Sequence, residues 1–155
     1  MEEKAYLQKV KDRFQTGAVI AELRAELFYE EHFEWRWMAS KLKQSGFLSF
    51  ADTVTKELMQ SYSEKCLQYA LSHTPGMVRG MQNGILSVNV LAGRKIEYEA
   101  VNYAMKRPKK HFAAFEMPVI VDLDSETLYY YRKTPLWGAV YYRSVREWIE
   151  QKFSI

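Results

Sequence analysis

A chain of 155 residues with 48% hydrophobic and 26% charged side chains, seven glycines and four prolines has the composition of one ordinary folded domain, which excludes the disordered, collagen-like and low-complexity classes. The formal charge of +3 is modest but uneven: residues 1 to 72 hold 10 basic and 11 acidic side chains, and residues 73 to 155 hold 12 and 8, an asymmetry that admits an anionic partner without requiring one. The single Cys66 excludes an intramolecular disulfide, and with three histidines the chain has no Cys/His set for zinc, so a reducing cytoplasm is the expected compartment.

Met1-Glu2-Glu3-Lys4 begins acidic and lacks the apolar stretch and small-residue cleavage site of a signal peptide. The longest apolar runs, such as Met117 to Val121, fall far short of the ~20 residues that a spanning helix needs, so no membrane association is expected.

In chain order, Tyr6, Leu7, Val10 and Phe14 fall at helical spacing and Gly17 supplies a stop, which predicts a first helix over residues 3 to 15. From Ala18 to Gln44 there is neither Gly nor Pro, and Ala21, Ala25, Phe28, His32, Trp35, Ala39 and Leu42 recur at steps of four and three, predicting a long helix with one buried stripe. Ser45-Gly46 ends it. Ser49 with Asp52 resembles a capping box opening a third helix to about Ser72, with Ala51, Val54, Leu58, Tyr62, Cys66 and Tyr69 as its apolar face. The two long helices are expected to form an antiparallel hairpin.

The pattern changes at Thr74-Pro75-Gly76. Gly76, Gly80 and Gly84 interrupt any helix, and Asn83-Gly84 proposes a turn. Ile85 to Leu91 reads as a strand and Arg94 to Arg107 as a helix closed by Pro108. Met117 to Leu123 and Thr127 to Lys133 flank Asp124-Ser125-Glu126 as a hairpin. Leu136 to Tyr142 supplies a third strand. Ser144 with Glu147 caps a closing helix whose apolar face is Val145, Trp148, Ile149 and Phe153. The expectation is one α+β domain over residues 1–155. Its helical part is 1–72 and its sheet part 73–155, with the hairpin packed on a mainly antiparallel sheet rather than a βαβ repeat.

Two constellations are candidates for binding. Glu22, Glu26, Glu30 and Glu34 stand four residues apart, an acidic ladder that costs roughly 0.2–0.5 kcal/mol per like pair on an isolated helix and so calls for a counterpart: Arg side chains, a basic partner protein or a metal; the ladder also fits a solvated helix face partly neutralised within the domain. The second constellation is basic and aromatic. Lys106, Arg107, Lys109, Lys110 and His111 form one run; Tyr130, Arg132 and Lys133 belong to another, followed by Tyr141-Tyr142-Arg143 and Arg146. Stacking rings beside phosphate-binding cations hold single-stranded nucleic acid without sequence readout. The same pattern also fits a sheet with one core face and basic residues snorkelling from the other.

Met38-Ala39-Ser40, Leu42, Gly46-Phe47 and Phe50-Ala51 resemble the first interhelical turn of ferritins. Alignment through Met38-Ala39-Ser40 puts that family's first iron ligand on Phe28 and its Glu-x-x-His on Ser61 and Glu64, so no metal centre is expected from the resemblance. His32 and Cys66 fall on apolar stripes and read as core residues. The Gly76–Gly84 segment reads as a hinge, and Asp122, Asp124 and Glu126 as turn residues. With no nucleophile signature in the chain, neither a catalytic residue nor a cofactor is assigned. The expectation is a small binding module taking a protein partner. The alternatives are a polyanion such as nucleic acid, or an enzyme or carrier with a pocket between helices and sheet; homodimerisation is compatible with each.

Overall fold

The structure, a computed structural model, describes residues 1–34, 40–73, 83–111, 114–134 and 139–155. Among these, four helices, α1 (Glu3–Lys11), α2 (Lys56–His73), α3 (Tyr98–Met105) and α4 (Ala139–Phe153), flank a mixed sheet, so the chain is α+β. The sheet runs in the order β1 (Gly17–Ile20), β2 (Ala25–Glu34), β3 (Ser40–Phe50), β5 (Asn83–Gly93), β8 (Ala114–Asp122). Two short strands, β7 (Lys110–His111) and β9 (Thr127–Tyr129), share the far edge of β8. A separate parallel pair, β4 (Thr53–Val54) and β6 (Lys95–Ile96), lies off the main sheet.

The expected helical hairpin is corrected. Residues 17–34 and 40–50 form β1, a 3₁₀ turn at Ala21–Leu23, and the antiparallel pair β2–β3. The stripe that suggested a helix mixes two faces. Ala25 belongs to the core beneath α2, whereas Phe28 belongs to the core beneath α1 and α4. With buried residues on both faces and Tyr29 and Glu31 exposed, β2 lacks the alternation that would identify it. Gly46, read as a helix stop, sits inside β3: a Cβ there would come within 2.5 Å of the Phe153 ring, so glycine is what lets α4 approach the sheet. Ser40–Phe50 being a strand, the ferritin-like turn has no counterpart.

The mainly antiparallel sheet is corrected as well. β3, β5 and β8 are parallel neighbours joined through α2 and α3, giving two consecutive βαβ units. Both crossover helices pack on one face of the sheet, and α1 and α4 cover the other. α2 opens at Lys56, with the Thr55 hydroxyl accepting from the Leu58 N–H at 3.1 Å, so Thr55 rather than Ser49 is its cap. The segment from Ala139 to Tyr142 is helical, not strand. The strand at 85–91, the helix within 94–107 and the hairpin between β8 and β9 stand as the sequence predicts, although β9 stops at Tyr129. Asn83-Gly84 opens β5 instead of forming a turn. The expected hinge at Gly76 and Gly80 lies outside the described residues.

An aromatic cluster closes the α1/α4 layer. Phe14 stacks on Phe28 with ring centroids 4.5 Å apart, and Trp148 and Phe153 meet it edge-on or tilted. Polar ties link α1 to α4 across the top. The Tyr6 hydroxyl donates to the Phe153 carbonyl at 2.7 Å, and the Lys152 ammonium donates to the Arg13 carbonyl at 2.8 Å. No helix among the described residues is long and apolar enough to cross a membrane.

Candidate functional site

The face beneath α2 carries a polar row where a core is expected. Ser45, Ser87 and Glu116 are register partners across β3, β5 and β8, and all three are buried. Parallel strands in register bring such side chains to one face. Glu116 is only 3% exposed, and a buried carboxylate costs several kcal/mol unless it is paired and hydrogen-bonded. Here Ser63 of α2 donates to one carboxylate oxygen at 2.7 Å, and His111 Nε2 stands 2.9 Å from the other. The Asn89 amide donates to the Ser63 hydroxyl at 2.8 Å, and the Ser87 hydroxyl donates to the Asn89 carbonyl oxygen at 2.6 Å. The result is a continuous chain from the middle of β5 to the half-exposed His111.

At the open end of this chain stand Glu64, Tyr103 and Lys109. Lys109 and Glu64 form an exposed ion pair at 2.8 Å. That bond holds the Glu64 carboxyl below its ordinary range and the Lys109 ammonium above its own. Burial raises the Tyr103 phenol, and the negative charge of Glu116 adds to the shift. Sequence reasoning missed Glu116, Ser63, Ser87 and Asn89. The available signal was Ser87 and Asn89 alternating with Leu86, Val88 and Val90 inside an otherwise apolar strand.

The structure brings together much of the predicted basic and aromatic constellation. Pro108 and Lys109 share a narrow crevice with Tyr141 and Tyr142 of α4, so the 106–111 run lies beside the first turns of that helix. Lys106, Arg107 and His111 are exposed; the side chain of Lys110 lies outside the described residues. Past Tyr142, which meets Tyr131 edge-on, an open cleft of about 610 Å³ gathers Arg132, Arg143 and Arg146 with Glu147 and Glu150. Arg146 is tied to the Arg132 carbonyl at 2.9 Å and the Thr134 hydroxyl at 2.7 Å. Arg132 bridges to Glu150 at 3.1 Å and covers the Tyr130 ring at 4.4 Å. Tyr130 is 1% exposed and its hydroxyl donates to Glu150, so its ring is core, not a stacking platform. Lys133 is exposed next to this cleft in sequence.

The acidic ladder is taken apart by the strand. Glu26 pairs with Lys11 at 2.8 Å. Glu30 accepts from the Trp148 indole N–H at 2.7 Å and from the Lys152 ammonium. Glu22 is exposed on the 3₁₀ turn, while the side chains of His32 and Glu34 lie outside the described residues. The counterpart of Glu26 and Glu30 is therefore a pair of lysines on α1 and α4. Cys66 is buried on α2, as expected, and burial pushes its thiol up to about 12. Comparison with known proteins finds no match among family models, curated proteins or solved structures.

Proposed function

We propose that the chain is a binding module for polyanions such as single-stranded nucleic acid, held along the surface that runs from Lys106 and Arg107 past the start of α4 to Arg132, Lys133, Arg143 and Arg146. The observation that carries this reading is the crevice shared by Pro108, Lys109, Tyr141 and Tyr142. It sets Lys109 beside the first turns of α4, whose neighbouring positions Arg143 and Arg146 line the next cleft with Arg132. The protein-partner reading loses part of its motivation, because Glu26 and Glu30 are engaged internally and Tyr130, Tyr131 and Trp148 are core residues.

With the Tyr130 ring covered by Arg132, affinity comes from phosphate contacts more than base stacking. Binding is then insensitive to sequence and steeply dependent on salt, with a slope of about −0.7 per phosphate contact on a single strand. Four contacts give a roughly fifty-fold loss of affinity between about 50 and 200 mM salt. Fluorescence anisotropy of labelled single-stranded RNA and DNA across that range is the test. Lys106→Glu with Arg107→Glu, and separately Arg143→Glu, are expected to weaken binding and flatten the slope while leaving thermal stability unchanged. Absence of binding at the lowest salt, or variants that bind as the wild type does, removes the reading.

A further inference from the structure

The hydrogen-bonded chain beneath α2 ends on a pair for which binding alone gives no use. Glu116 is buried, and among the described residues no lysine or arginine bonds to it. Replacing a buried ionic group by an apolar one is often neutral or stabilising, so packing gives no reason for this carboxylate. A carboxylate fixed on one ring nitrogen sets the tautomer and orientation of an imidazole and stabilises its protonated form, which is how enzymes hold a histidine that takes up a proton. His111 is placed for that use. Its Nε2 is committed to Glu116 at 2.9 Å, 31% of its side chain is open to solvent, and Nδ1 has no hydrogen-bond partner among the described residues.

A cation stands beside the pair. Ser63 and Glu64, adjacent on α2, meet Glu116 and Lys109 respectively, so the Lys109 ammonium and the His111 ring lie on the same side of the sheet edge. The Lys109–Glu64 bridge is exposed on both sides and is therefore weak, which leaves Lys109 able to exchange Glu64 for a phosphate. Lys109 and His111 are two residues apart, a spacing of roughly 6.5 Å in an extended chain, which one phosphodiester spans. Tyr103 of α3 is the other ionisable group here, under the influence of Glu116, Lys109 and Glu64 together. Lys106 and Arg107, on the same segment, belong to the surface assigned above to polyanions.

We propose that His111 and Lys109 cleave single-stranded RNA held on that surface, by attack of a 2′-hydroxyl on the adjacent phosphodiester. His111 Nδ1 removes the hydroxyl proton, the 2′-oxygen bonds to phosphorus, the bond from phosphorus to the 5′-oxygen breaks, and that oxygen leaves with a proton from the Lys109 ammonium. The products are a 2′,3′-cyclic phosphate and a 5′-hydroxyl. His111 then returns its proton to solvent and Lys109 regains one, so no oxidant or reductant is consumed. The Lys109 charge also offsets the charge that develops on the phosphate oxygens. Glu116 is a positioning residue, acting only through the His111 ring. Cleavage rests on the binding reading above and adds that RNA and DNA, bound alike, have different fates, because DNA has no 2′-hydroxyl.

The test incubates the protein at low salt, in the presence of a chelator, with labelled single-stranded RNA and DNA of one sequence. Anisotropy reads binding, and gel electrophoresis with mass spectrometry reads the products. The expected result is RNA cut to fragments that end in the cyclic phosphate, with DNA bound but whole. His111→Ala should lose roughly 100-fold or more in rate and recover part of it with added imidazole. Lys109→Gln, at an exposed position where folding is not at stake, should lose rate comparably. Glu116→Gln should lower kcat roughly tenfold or more with KM unchanged. RNA that binds yet stays whole overturns the cleavage proposal and leaves the binding reading standing, whereas absence of binding removes both. Cleavage that persists in His111→Ala and Lys109→Gln, or that leaves 3′-hydroxyl ends, belongs to a contaminating nuclease and overturns the proposal equally.

Discussion

The two faces of the sheet each hold a carboxylate, and they accommodate it differently. Beneath α1 and α4, Glu30 lies near the rim, partly open to solvent, and is met by the Lys152 ammonium and the Trp148 indole. Around it the layer is aromatic and aliphatic apart from the buried Gln44, the register partner of Glu30 on β3. Beneath α2, Glu116 lies within the packed layer and is met by the Ser63 hydroxyl, itself backed by Asn89 and Ser87, with His111 its one ionisable hydrogen-bond partner among the described residues. A rim carboxylate needs only a long side chain that can reach back from solvent. A carboxylate inside the layer needs hydrogen bonds from groups that are themselves satisfied. The first layer is therefore built for packing, and the second gives up packing to hold a polar chain that ends near the proposed binding surface.

Removing the packing of the first layer should have the largest effect. Phe153→Ala deletes a fully buried ring and is expected to cost about 3–5 kcal/mol, lowering the thermal midpoint by roughly 10 °C. In the second layer, His111→Ala leaves Glu116 with Ser63 alone and is expected to cost up to about 3 kcal/mol, whereas Glu116→Gln keeps hydrogen-bonding capacity and should cost distinctly less. Equal losses for that pair, read by urea denaturation, would show that His111 acts through its bulk and not its bond to the carboxylate. Gly46→Ala drives a methyl into the Phe153 ring and is expected to cost about 1–3 kcal/mol. Glu30→Gln, at the rim, should cost less than about 1 kcal/mol; a loss matching His111→Ala would abolish the distinction between the layers.

An effect outside the ordinary pH range completes the set. Burial first, and then the hydrogen bond to Glu150, push the Tyr130 phenol up to about 12 from its ordinary 10.0. Below pH 10 the phenol is protonated in both folded and unfolded chains, and its contribution is fully present. Between 10 and about 12 only the unfolded chain releases the proton, so stability falls as pH rises through that interval. Denaturant midpoints should drift downward there, with tyrosinate absorbance from Tyr130 appearing only near its upper end.

Legibility of the fold followed local signals more than burial: β5 and β8, covered on both faces, were readable from their β-branched runs. β8 and β9 were readable because a tight turn with Glu126 at φ 53° separates two aromatic and β-branched runs. α2 and α3 were readable because each shows its inner side to the sheet and its outer side to water. β2 was not, because Ala25 and Phe28 serve opposite layers and their spacing imitates a helix. α4 was seen only from Ser144 onward, since Glu147, taken for a cap, instead pairs with Arg143 one turn earlier in the helix. For the candidate site, His111 and the arginines were visible as charges in sequence. The gathering of Arg132, Arg143 and Arg146 in one cleft was not, because it depends on α4 packing beside the segment that follows β9. The polar row was invisible for another reason: Ser45, Ser63, Ser87 and Glu116 are brought together by strand register and a crossover helix.

The ties between α1 and α4 bear on the order in which the molecule can be made. The Tyr6 hydroxyl and the Phe153 carbonyl are 147 residues apart in sequence, and Phe28 obtains much of its cover from the layer that Trp148 and Phe153 complete. During synthesis β3, α2 and β5 can assemble as a unit while the other side of the sheet is still bare. Closing so long a loop is slow, and until it closes the emerging chain presents an aromatic surface to its surroundings. α4, made long after β1, β2 and β3, is thus the helix that seals their outer layer.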